Sequence, residues 1–202
     1  WEVKQYHVNA LHKFNMGIVT LMTPEPAGGY YKAEGIEAFI RRFGYKDLLG
    51  REDRLNFGGV HKAWELHPRT KLKLVLTGYD KEKGKITDAG GGITLVTIDG
   101  DKAATWFYAD LMNHWQRKHS QAVYIPCVSQ KEPELKYLYG NFVRLGRGTD
   151  FLLFLNALSC GSVYYDPGIK LEFASTKPKP KYRSQFRIKS AYVSTLYHEM
   201  QV

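Results

Sequence analysis

A chain of 202 residues can build one domain with a substantial core or two lobes. Its apolar fraction of 44% contains no uninterrupted stretch long enough to cross a bilayer, which excludes a helical membrane protein and predicts a soluble one. A net charge of +9 and a pI near 9.4 point to a polyanionic partner, with nucleic acid first among them.

Cys127 and Cys160 are too few for a disulfide scaffold or a cysteine-rich zinc site. They are expected to be buried free thiols in a reducing cytoplasm. No secretory signal is visible, and 14 tyrosines raise the aromatic fraction to 14%, enough to fill a β-rich core or to stack on bases.

In chain order, residues 1–6 alternate as a strand. Residues 16–23 form a second β-rich run stopped by Pro24 and Pro26, and an antiparallel pairing of the two is expected. Ile36, Phe39, Ile40 and Phe43 fall at helical spacing over 33–43, with Gly44 as the stop. Residues 71–79 alternate as a strand, 80–85 turn the chain, and 93–98 form the returning strand. Gly90-Gly91-Gly92 lacks the Lys-Ser/Thr of a phosphate loop and reads as a turn.

Ala104, Phe107, Leu111 and Trp115 form one stripe and predict a helix over 102–118. Arg117, Lys118 and His119 at its end suit the helix dipole, with phosphate contact as a second possibility. Strands are expected over 122–128 and 137–145, then an apolar helix over 150–158 closed by Gly161. The strand 162–166 precedes a proline-broken basic loop over 175–184. Extended chain then resumes at 186–189, before a short amphipathic helix with Val193, Leu196 and Tyr197. From Lys170 to Lys189 seven basic residues, Lys170, Lys177, Lys179, Lys181, Arg183, Arg187 and Lys189, face one acid, Glu172. Such a run is commonly a solvated face, but its mixture with Tyr182 and Phe186 between ordered elements suits a groove-entering loop.

The chemistry is concentrated in the first strand. Glu2 and Lys4 share a face, a carboxylate able to ligate a hard cation beside an ammonium able to hold a water. A surface ion pair is the commoner meaning of a bare Glu-x-Lys. His61, following Gly58-Gly59-Val60, could touch DNA from a loop or simply pack. Tyr182 could stack or bind phosphate, or be structural.

Four collinear stretches resemble the MvaI/BcnI family of type II restriction endonucleases, in the MutH-like branch of the PD-(D/E)xK nuclease fold. They are Trp1-Glu2-Val3-Lys4 with residues 20–26; His114-Trp115-Gln116-Arg117-Lys118-His119 running into 122–126; Gly161-Ser162-Val163-Tyr164-Tyr165-Asp166-Pro167; and Phe186-Arg187-Ile188 ahead of Leu196-Tyr197. The resemblance implies an α/β (α+β) fold with a mixed β-sheet flanked by helices. Residues 1–202 would form a single endonuclease-like domain, with 1–150 catalytic and 151–202 contacting DNA.

It further implies a monomer in a prokaryotic cytoplasm that cuts double-stranded DNA with Mg2+, with Glu2 as metal ligand and Lys4 positioning or activating water. Asp166, Lys170, Arg183 and Arg187 are its expected base readers, with Tyr182 and His61 as further DNA contacts. Lys170 stands near an expected arginine, and the Lys177-Pro178-Lys179-Pro180-Lys181 segment is unusual for the family. The family's catalytic Asp lies upstream of Glu-x-Lys, so truncation and an impaired chain are expected. Glu25, Asp47, Asp53 and Asp88 are the alternatives. A non-cleaving DNA-binding module and a MutH-like strand-nicking enzyme are the rival readings.

Overall fold

The computed structural model describes residues 1–173 and 179–202; residues 175–178 of the basic loop, Lys177 among them, and the side chain of Lys179 lie outside the described residues. Three α-helices are present among the described residues: α1 (Tyr30–Phe43), α2 (Tyr108–His119) and α3 (Phe151–Ser159). Two compact units interleave in sequence. The first comprises Trp1–Met22, Met112–Val163 and Arg187–Val202, and the second Thr23–Leu111 and Tyr164–Phe186. No described helix is long and apolar enough to cross a membrane.

The first unit is built on a mixed sheet, as expected. The strand Glu2–His7 runs parallel to Gln121–Gln130, which pairs antiparallel with Lys136–Tyr139 and Arg144–Arg147, and Glu199–Gln201 adds to the last of these. The expected pairing of the first strand with 16–23 is corrected: Ile18–Met22 belongs to another sheet, beside Phe186–Lys189. Adjacency in sequence favours hairpins, but a parallel partner must come from beyond a crossover, here after α2.

Trp115 and Phe154 pack in this unit, with ring centroids 4.9 Å apart. Asp150 caps α3 by accepting from the Leu153 amide at 2.9 Å. Cys127 is buried as expected, whereas Cys160, just past the end of α3, is exposed.

In the second unit, α1 carries its apolar stripe on the predicted residues. Phe39 and Ile40 are buried and Gly44 N–H donates to the Ile40 carbonyl, while Gly35, with φ of 81°, interrupts the helix before the stripe begins. Phe39 packs edge-on to Phe57 at 4.7 Å. Phe57 belongs to the sheet ordered Lys179–Lys181, Gly168–Glu172, Arg54–Gly58, Tyr45–Lys46. A second sheet joins Lys73–Thr77, Gly92–Val96 and Lys102–Phe107.

That last strand corrects the expected helix over 102–118, because only its second part is helical. Ala103, Ala104, Thr105 and Trp106 are all buried, and Phe107 of the supposed stripe is 39% exposed. A short run of small and aromatic residues buried on both faces satisfies a strand as well as a helix, and strand pairing with Gly92–Val96 decides it.

Candidate active site

The strand Glu2–His7 alternates in burial, Glu2, Lys4 and Tyr6 lying more deeply than Val3, Gln5 and His7. The Lys4 ammonium, its side chain 10% exposed, donates to the Leu21 carbonyl at 3.0 Å and lies 3.8 Å from Glu2 Oε1. Glu2 is bracketed by a second ammonium, Lys118 Nζ, 3.5 Å from Oε2. Burial lowers the Lys4 pKa, Glu2 resists that shift and Lys118 adds to it.

The wall behind is aromatic. His119 is fully buried and stacks on Trp115 with ring centroids 3.9 Å apart, and burial, reinforced by the Lys4 charge, lowers its pKa to about 3. Tyr124, in register with Lys4, shares a 2.7 Å hydroxyl contact with Tyr197. The Tyr197 ring lies where any Cβ on residue 146 would fall, 2.7 Å away, so Gly146 permits the contact. Lys4 thus sits against a ring-lined wall on a rigid element, while Glu2, its side chain 33% exposed, reaches solvent.

Three of the four alternative acids are occupied locally, and the fourth, Glu25, is exposed. Asp47 accepts from Arg54, Asn56 and the Leu49 amide, which hold its carboxyl below the usual range; Asp53 accepts from Arg51, and Asp88 from the Gly90 amide. Among the described residues no group of three or more His, Cys, Asp and Glu is placed to hold a metal ion. Glu2 supplies one carboxylate oxygen donor set. A magnesium ion commonly takes one or two carboxylates and completes its shell with waters and substrate phosphate, so Glu2 fits as one ligand of a site shared with DNA.

Asp166, Lys170, Tyr182 and Arg183 come together in the second unit. The Asp166 amide donates to the Gln185 carbonyl at 2.8 Å and the Gly168 amide to the Arg183 carbonyl at 2.7 Å, tying the turn to the returning chain. Register places Asn56, Lys170 and Lys181 opposite one another, and therefore on one face, while Phe57, Ile169 and Leu171 are buried. The exposed Arg183 side chain runs beside Gly168, 3.5 Å from where a Cβ would stand.

Tyr182 tilts against Tyr31 at 6.3 Å with its hydroxyl shielded from solvent, and burial raises its pKa. Arg187 lies in the first unit, its Nε 3.4 Å from Thr20 Oγ1. His61 is 1% exposed. Its Nδ1 pairs with the Gly59 carbonyl and its Nε2 with Thr70 Oγ1, both at 2.9 Å, and its ring stacks on His67 at 4.0 Å. Its backbone exchanges hydrogen bonds with Tyr165, next to Asp166. His61 therefore packs beneath the turn.

The model of the MvaI/BcnI restriction endonuclease family matches residues 1–197. The chain belongs to the MvaI/BcnI family. Its class is that of the restriction endonucleases, site-specific deoxyribonucleases. Restriction endonuclease MvaI in complex with its cognate DNA substrate is 17% identical with a TM-score of 0.68, and the match covers 99% of this chain and 77% of that one. MvaI in the absence of DNA is 18% identical with a TM-score of 0.62 over the same shares. At that identity the likeness speaks for the fold. No curated protein sequence matches.

Within this member of the MvaI/BcnI family, sequence reasoning missed Leu21 as the acceptor for Lys4, His119 and Tyr124 as the wall, and Lys118 as a neighbour of Glu2. The cluster Arg117-Lys118-His119 was visible as a helix end. Its direction was not, because Lys118 lies 116 positions from Glu2 in the sequence and only the parallel pairing after α2 brings them together.

Proposed function

We propose that this protein hydrolyses phosphodiesters of double-stranded DNA at a specific site with Mg2+, acting as a monomer in a prokaryotic cytoplasm. The observation that carries the reading is the desolvated Lys4, fixed on the Leu21 carbonyl beside the Glu2 carboxylate. Glu2 would hold the cation together with a DNA phosphate. When bound, that cation supplies a bound water of lowered pKa and offsets charge on the phosphate and its leaving oxygen. Lys4 orients the attacking water and, in the amine form that burial favours, accepts its proton, while solvent protonates the leaving oxygen. The water oxygen bonds to phosphorus as the bond to the leaving oxygen breaks.

Base reading falls to the open face carrying Lys170 and to the turn holding Asp166 and Arg183, with Arg187 as a further contact. Lys and Arg suit guanine acceptors and Asp the cytosine amino group, so a G·C-rich target follows. Tyr182 supports this face by packing, as His61 does.

A second reading is a DNA-binding module that no longer cleaves, and the single carboxylate among the described groups of the site favours it. Binding measured in Ca2+ followed by plasmid cleavage in Mg2+ separates the two. Selective binding with cleavage that Lys4→Ala abolishes supports the nuclease. Selective binding without any cut or nick supports the module, and cleavage that survives Lys4→Ala removes the assignment of Lys4. Nicking of a single strand would identify the strand-nicking rival.

A further inference from the structure

We propose that Lys118 is a placeholder cation: its ammonium occupies Glu2 in the metal-free protein and withdraws when a divalent ion arrives. The inference rests on Glu2 being a metal ligand, as proposed above. Two ammoniums address one carboxylate, Lys4 at 3.8 Å from Oε1 and Lys118 at 3.5 Å from Oε2. They are built differently. Lys4 is 10% exposed and anchored on the Leu21 carbonyl, whereas the Lys118 side chain is 43% exposed and stands at the last turn of α2.

A long, half-solvated side chain can swing away at little cost, and the helix C-terminus stabilises its charge in either position. Lys4 cannot leave without abandoning its carbonyl. With no metal on it, the Glu2 carboxylate keeps both oxygens turned to ammonium groups, one on each side. Lys118 supplies one of these charges, and the same charge must then oppose a divalent ion at Glu2.

The test is titration of Mn2+ into DNA-free protein, with free ion read by electron paramagnetic resonance. Removing one positive charge several ångströms from a divalent ion at a partly hydrated site predicts that Lys118→Gln binds Mn2+ about tenfold more tightly. Lys118→Arg, which keeps the charge, stays within about twofold of the parent. Glu2→Gln loses the binding. Unchanged or weaker affinity in a Lys118→Gln protein that melts like the parent, or no Mn2+ binding by either protein without DNA, overturns the placeholder. If Glu2→Gln instead binds as the parent does, the metal-ligand reading fails first.

A measurement without substitution at Lys118 guards against misfolding. In protein with 13C-methylated lysines, the Lys118 resonance moves on adding Mg2+. A Lys118 resonance indifferent to Mg2+ while that of Lys4 responds overturns the inference.

Discussion

Two clusters of charge divide the molecule's chemistry, Glu2, Lys4 and Lys118 in one unit and Asp166, Lys170 and Arg183 in the other, and they are built on opposite plans. The first stands against buried rings, with Lys4 tethered to a backbone carbonyl. The second lies on the open side of a sheet whose other side carries Phe57, Ile169 and Leu171 in the core. The contrast suits the roles proposed for the two clusters. Moving a proton or holding a cation needs charges at fixed distances in a poorly hydrated place, where Coulomb terms are several times those in water. Reading a base edge needs hydrated side chains that can reach, with the backbone beneath them fixed.

The largest effect expected is on chemistry. Lys4→Ala should lower single-turnover cleavage by about 10²–10⁴-fold while leaving DNA binding in Ca2+ within a few-fold. Equal losses in both would erase the distinction between the clusters.

Next comes the wall. Trp115→Ala should cost about 3–5 kcal/mol in urea unfolding, because it removes a fully buried ring that stacks on His119 and packs at a tilt against Phe154. A cost under about 1 kcal/mol would mean the wall is not packed.

On the open face, Lys170→Ala and Arg183→Ala should each weaken binding to the cognate site by about 1–3 kcal/mol if they meet base edges, and leave unfolding within about 0.5 kcal/mol. A loss equal for all sequences, with a smaller salt slope, would move that residue to a phosphate.

The buried histidine sharpens the contrast through pH. His119 has a folded pKa near 3, below the unfolded value of about 6.5, so the unfolded chain binds its proton first. Its contribution is complete above pH 6.5 and is lost as pH falls toward 3, by up to about 1.4 kcal/mol per unit. Urea unfolding at pH 7 and pH 4.5 should show that slope in the parent and a shallower one in His119→Gln. His61, also held near 3 by burial, acts with the same sign.

The smallest effect belongs to Glu37 and Arg41 on α1, both about half exposed, where Glu37→Gln should change stability by no more than about 0.5 kcal/mol.

The elements with one clear period were legible. The Phe39-Ile40-Phe43 stripe of α1, the Asp80 turn and the apolar run of α3 follow from local rules alone. The segment 102–107 was not legible, since its run of buried residues fits two periods, and the choice was made by a strand 10 residues earlier. In the site, Glu2 and Lys4 could be paired from the strand period because they are two residues apart. Lys118 and the Leu21 carbonyl could not, because they depend on pairing across the chain.

By itself the sequence determined the basic charge, the same-face carboxylate and ammonium of the first strand, and the family likeness, since each is a property of neighbouring residues or of residue type. Tertiary structure alone decided that this strand pairs in parallel with Gln121–Gln130, that Lys4 is buried against Leu21 and Lys118 meets Glu2, and that His61 is enclosed. Burial and charge neighbourhood are sums over the whole fold, and no local window contains them.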